Sequence, residues 1–127
     1  MCHQTVSLVA RHLEAHGIAT VIMGCAKDIV EHCGVPRFVF SDFPLGNPAG
    51  KPFDVESQRF TLALALQLLE RAFAPRTTVQ SPLRWSDDPS WKRDYCNIDT
   101  LSAAELAQRR REFEVQKAIA RTRRESG

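Results

Sequence analysis

The chain has 127 residues, 43% of them hydrophobic, with 17 Lys/Arg, 15 Asp/Glu and a formal net charge of +2. That is material for one modest core and not for several. No run approaches the ~18 apolar residues of a membrane span, and the Met1–Thr5 opening lacks the charged and apolar regions of a signal peptide, so a cytoplasmic protein with no membrane partner is expected.

Charge is unevenly placed. Residues 1–101 carry ten Lys/Arg against eleven Asp/Glu (−1), and residues 102–127 carry seven against four (+3). An excess this small reads as a solvated helix face and argues against a nucleic-acid partner. In a reducing compartment Cys2, Cys25, Cys33 and Cys96 read as free thiols and not as a disulfide framework.

From the N-terminus, Cys2–His16 reads as a helix: Val6, Val9, Ala10 and Leu13 fall at spacings of three, four and seven on one apolar stripe, and Gly17 suits its end. Ile18–Met23 is short, β-branched and apolar, the pattern of a buried strand. Gly24-Cys25 turns the chain into a short helix over Ala26–Cys33, closed by Gly34, and Arg37–Phe40 forms a second strand. There follows a stiff loop, Ser41–Pro52, in which Pro44, Pro48 and Pro52 fix torsions while Gly46 and Gly50 allow positive ones. A loop leaving the carboxyl end of a strand is where α/β proteins build sites, although many such loops only connect.

Asp54 is placed to cap a helix running to about Phe73. Its Phe60–Leu69 portion is apolar nearly all round, which calls for cover on several sides and makes a subunit contact plausible. Residues 74–100 hold three prolines, Trp85, Trp91 and an Asp-Asp-Pro run without a clear period, so an irregular segment is expected, pinned across a surface by Trp85, Trp91 and Tyr95. Ser102 and Glu105 form a capping box for a last helix. Its apolar positions Leu106, Phe113 and Ile119 are sparse, so it projects or rests on a partner.

The order predicts an α/β fold, a small Rossmann-like parallel sheet with flanking helices and an extra C-terminal helix. Three regions are expected: residues 1–74, the irregular residues 75–100, and the helix of residues 101–127. Two strands are few for a parallel sheet. A helix opening at residue 2 reads as the second half of a βα unit whose first strand is missing, which leaves two expectations: a longer gene product carrying that strand, or a stand-alone binding or assembly module that keeps the rest of the fold.

On this reading the helix start, the Gly24-Cys25 turn and the Ser41–Pro52 loop share one sheet edge. Cys2 would sit at a helix N-terminus, where the dipole favours a thiolate, with His3 beside it for proton exchange; the alternative is an exposed thiol without a role. Cys25 in an apolar turn reads as buried and inert, and Cys33 as core. Asp42 and Lys51 bracket the loop, where they pair with each other or hold a carboxylate. No C-x-x-C pair or other zinc spacing occurs, and no P-loop or G-x-G-x-x-G, so neither a metal nor another cofactor is expected.

Cys2-His-Gln-Thr-Val, His16-Gly-Ile-Ala-Thr-Val21, Val35-Pro-Arg-Phe38 and Pro44-Leu-Gly-Asn-Pro48 together resemble the substrate-activating B component of the glycine, sarcosine, betaine and D-proline reductases, over roughly residues 2–70. The resemblance implies reductive cleavage of the bond between nitrogen and the α-carbon of a small amino acid or its N-methylated form. It further implies a selenocysteine or cysteine nucleophile just upstream of Cys2, an intermediate resolved by partner thiols, and association with itself or with other reductase subunits. Cys2 is similar to the cysteine that accompanies that nucleophile, and Pro44, Leu45, Gly46, Asn47 and Pro48 to the loop facing it, whereas Ala49–Asp54, with Lys51, departs from the family's continuation. His3 is expected to transfer the proton, and Asp42 and Lys51 to border the substrate. A non-catalytic oligomeric module of the same fold is the alternative.

Overall fold

The computed structural model describes residues 2–94 and 101–125. Expectations concerning Tyr95 and Cys96 fall outside the described residues. Two units are present, residues 1–87 and 88–127.

In the first unit the order is α1 (Cys2–Ala15), β1 (Ile22–Gly24), α2 (Lys27–Cys33), β2 (Arg37–Phe40), α3 (Val55–Arg71) and β3 (Thr77–Gln80). The strands form an open parallel sheet in the order β1-β2-β3. Ile22 sits opposite Phe38 and Gly24 opposite Phe40; Val39 sits opposite Val79. Alternation along the strands sends Ile22 and Phe38 to one face, where they pack with Ala10, Val30 and Val35. Val39 goes to the other and packs with Ala65 and Leu68 of α3. The small α/β fold with flanking helices is therefore the one expected from the sequence.

The third strand corrects the expectation of irregular structure from residue 75. Thr77-Thr-Val-Gln80 has one aliphatic residue, lies at a sheet edge and is only partly buried, so it lacks the apolar run that marks a central parallel strand. Beyond it Ser81 N–H donates to Phe40 C=O at 2.8 Å, and Trp85 meets the buried Phe43 edge-on at 5.5 Å. This part of the segment is pinned, as its tryptophan suggested.

Two helices use other faces than their apolar patterns predict. In α1 the buried residues are Ser7 and Ala10, while Val6 and Val9 are exposed. Small side chains allow close approach to the sheet layer, and the larger valines are left outward. In α3 the buried side is Ser57, Thr61, Ala65 and Leu68, and Phe60, Leu62 and Leu66 stand exposed; the expected cover on several sides is absent within this unit. The Asp54 cap forms as read, its carboxylate accepting from Ser57 N–H at 3.2 Å.

In the second unit α4 spans Trp91–Asp94 and α5 Ala103–Glu125. The capping box is closed: Glu105 Oε2 accepts from Ser102 N–H at 2.9 Å, and Ser102 Oγ accepts from Glu105 N–H at 3.3 Å. Bonds from the Ser102 hydroxyl and amide hold the Glu105 carboxyl below its ordinary range. Among the described residues no helix is long and apolar enough to cross a membrane.

Residues 18–21, expected as strand, are instead held by the end of α1. The Glu14 carboxylate accepts from the Thr20 N–H, from Thr20 Oγ1 at 2.8 Å and from Arg37 Nη1 at 2.9 Å. This ties α1 to the entry of β1 and the start of β2. Burial alone would push the Glu14 carboxyl up, but the Thr20 bonds and the Arg37 guanidinium together hold it below its ordinary value of 4.5. A depressed folded value means stability that is present above that pH and lost as the pH falls through the folded value. Glu14→Gln is therefore expected to lower unfolding stability by about 1–2 kcal/mol at pH 7. The gap between variant and parent should close as denaturant midpoints are measured at progressively lower pH below 4.5.

Candidate functional site

The edge at the carboxyl ends of β1 and β2 is built from three segments. The loop leaves β2 with Ser41 N–H donating to Gly24 C=O at 2.9 Å, which fastens it across to β1. Ser41 is fully buried, and its hydroxyl donates to Pro48 C=O at 3.4 Å, drawing the far arm of the loop back. Between these points Pro44 C=O accepts from both the N–H and the side-chain Nδ2 of Asn47, at 3.2 and 3.1 Å. That is a four-residue turn with Gly46 at its third position and φ of 98°, a conformation glycine adopts without strain.

The loop then locks onto the first turn of α3. Lys51 N–H donates to Ser57 Oγ at 2.8 Å, and Lys51 C=O accepts from Gln58 Nε2 at 2.9 Å. Gly50, with φ of 112°, passes so close that a Cβ there would lie 2.7 Å from Gln58 N. The loop is thus held at both ends and at its tip, and the side chains of Leu45 and the backbone of Gly46 face outward.

Against this loop stands the Gly24-Cys25 turn. The Cys25 thiol is half-buried, and the backbone N–H groups of Asn47 and Phe43, which donate to Pro44 C=O and Ser41 C=O, bear on its ionisation together with the Asp42 carboxylate. Burial pushes the thiol up, the two amides pull it down and the Asp42 carboxylate adds to the rise; the balance is upward, so Cys25 rests as a neutral thiol. His3 completes the wall. Its ring packs where a Gly24 Cβ would be, 3.0 Å from His3 Cδ2, and its Nε2 accepts from Cys25 N–H at 3.0 Å. That bond requires an unprotonated Nε2 and leaves the neutral ring's proton on Nδ1.

Of the residues expected to form a site, His3, Asp42, Asn47 and the Pro44–Pro48 turn come together around Cys25. Lys51 enters through its backbone, as a clamp to α3. Cys2 is exposed on the first turn of α1, next in sequence to His3. Cys25, which the sequence offers as a second thiol beside Cys2 or, in preference, as a buried and inert cysteine, is a half-buried neutral thiol here, and its surroundings come from the long-range return of Phe43 and Asn47. No group of three His, Cys, Asp or Glu able to hold a metal occurs among the described residues.

Two outcomes are expected. Gly50→Ala, which combines a positive φ with a backbone clash, should destabilise the protein by at least about 2 kcal/mol, while Gly46→Ala, whose Cβ would meet nothing within 4 Å, should cost about 1–2 kcal/mol of torsional strain alone. Thermal or denaturant unfolding measures both. Peptide mapping after iodoacetamide treatment at neutral pH should find Cys2 alkylated several-fold faster than Cys25; faster labelling of Cys25 would contradict its burial and neutral state.

No protein-family model matches this chain, and no solved structure matches it. Among curated proteins, the chain is similar to the D-proline reductase subunit gamma of Acetoanaerobium sticklandii, with 36% identity over 58 residues. The matched stretch is 46% of this chain and 24% of that subunit, so the chain spans about a quarter of its relative. Over that stretch the protein is related to a reductase subunit.

Proposed function

We propose that this chain is a reductase-type subunit that binds a small amino acid, or its N-methylated form, at the edge lined by His3, Cys25 and the Ser41–Lys51 loop, for reductive cleavage of the bond between nitrogen and the α-carbon. The observation that carries the reading is the shared stretch with a D-proline reductase subunit. The edge geometry supports it: a loop clamped at both ends, outward backbone at Gly46, and a histidine and a thiol beside it.

The chemistry balances with a dithiol as reductant. A thiolate or selenolate attacks the α-carbon, the Cα–N bond breaks, and the nitrogen leaves with the electron pair and takes a proton. A second thiol then attacks the sulfur or selenium, the α-carbon leaves with that electron pair and takes a second proton, and the dithiol ends as the two-electron oxidised pair. For D-proline the result is ring opening to a 5-amino acid. Cys2 takes part in the thiol chemistry, as nucleophile or as partner of one preceding it. His3 moves the proton, through Nδ1 once Nε2 is engaged by Cys25. The Gly46 backbone and Asn47 orient the carboxylate, with Asp42, Pro44, Pro48 and Lys51 shaping and holding the loop.

A non-catalytic oligomeric module of the same fold is favoured by a different observation, the exposed apolar residues of α1 and α3. The two readings separate in one assay. The protein expressed from its whole open reading frame, including any codons preceding Met1, is incubated with dithiothreitol and D-proline, glycine, sarcosine or betaine, and product and thiol oxidation are followed together. Reductase function predicts substrate-dependent loss of two thiols, one dithiothreitol oxidised, for each substrate cleaved, reduced by roughly 100-fold or more in Cys2→Ala and His3→Gln. No cleavage of any of the four by folded protein, alone or with its reductase partner subunits, overturns the reductase reading and leaves the module.

A further inference from the structure

The outward face of α3 has a pattern that is complementary to itself. Val55, Leu62 and Leu66 are 55%, 52% and 51% exposed, and Phe73, just past the helix end, is 94% exposed. Spacings of seven and four place Val55, Leu62 and Leu66 on one stripe of the helix, whereas α3 ends at Arg71 and the extended Ala72 turns Phe73 off it, toward Leu64, Leu68 and Val79. The stripe points well away from the buried side formed by Ser57, Thr61, Ala65 and Leu68.

We propose that this stripe is the contact between two copies of the chain, with their α3 helices antiparallel about a two-fold axis near residue 64. About that position Leu62 of one copy falls opposite Leu66 of the other. A two-fold axis there buries both leucines of each copy against those of the other, as an isologous contact requires.

Charge selects the same arrangement. Arg59 and Glu70 lie on the same flank of the stripe, five residues before and six after the axis. In an antiparallel pair each flank meets its own counterpart, so Arg59 of each copy faces Glu70 of the other and two symmetric ion pairs close the rim. A parallel pair would set that flank against Gln58 and Leu69, where no opposite charge waits. Arg59 and Glu56 are exposed at 76% and 86% in their own-helix pair at 3.8 Å, so the guanidinium remains available at the surface. The stripe therefore has both an apolar centre and a complementary polar rim, the layout of a specific interface.

The inference is independent of the reductase reading, because the edge site lies at the carboxyl end of the sheet and uses none of these side chains. Sedimentation velocity of the full chain across the micromolar range tests it. A concentration-dependent dimer is expected. Arg59→Glu and Glu70→Arg should each weaken it by about tenfold, and the double exchange R59E/E70R should restore it to within about threefold of the parent. Circular dichroism confirms that the variants fold; both positions are exposed, so folding should be unaffected. A monomer at every concentration overturns the proposal. So does a dimer indifferent to both charge reversals, and so does a dimer that the single variants weaken and the double exchange fails to rescue.

Discussion

The feature on which the rest of this structure depends is the return of the β2–α3 loop onto its own sheet. Ser41 begins it by bonding across to Gly24, and Lys51 ends it by bonding to Ser57 inside the first turn of α3. Because the acceptors are a sheet-edge carbonyl, Gly24 C=O, and the Ser57 hydroxyl of the first turn of α3, the loop's shape is inherited from the most ordered parts of the unit. Gly50 makes this possible, since any side chain there would drive the loop off α3. Everything proposed about chemistry at this edge follows from a loop that cannot relax away from Cys25 and His3.

A second fastening, around Glu14, sets the opposite end of α1. It ties the helix C-terminal turn to Thr20 and Arg37, and so fixes the direction in which α1 runs back to the carboxyl edge. His3, eleven residues earlier, is thereby brought to the Gly24-Cys25 turn. One cluster aligns the helix and the other end uses that alignment. Close packing through Ser7 and Ala10 lets the helix lie near enough for the imidazole to reach a backbone amide of the next strand's exit.

Much of this was legible in the residues themselves, and the reason is locality. The Asp54 cap, the Ser102–Glu105 box, the Gly46 turn and the Arg37–Phe40 strand are each decided within a few positions, by propensity and a hydrogen bond of short sequence range. What was not legible is decided at long range. Thr77–Gln80 is a strand because β2 offers it an edge, not because its own side chains demand one. The buried face of α1 follows Ser7 and Ala10 because close approach rewards small side chains over valines. Cys25 acquires its surroundings from residues about twenty positions downstream, which no local pattern reports. The apolar circumference of α3 was legible, and its outer stripe stands exposed in the single chain because nothing else within the unit reaches that face.

The central claim is that the His3, Cys25 and Phe43–Asn47 edge is a preformed binding site. A titration of isotope-labelled full-length protein with D-proline, followed by amide chemical shifts, tests it most directly. Saturable shifts confined to His3, Cys25 and the Phe43–Lys51 amides, with α5 unmoved, are the predicted result. Shifts that avoid this edge, or none at saturating ligand, would contradict the account.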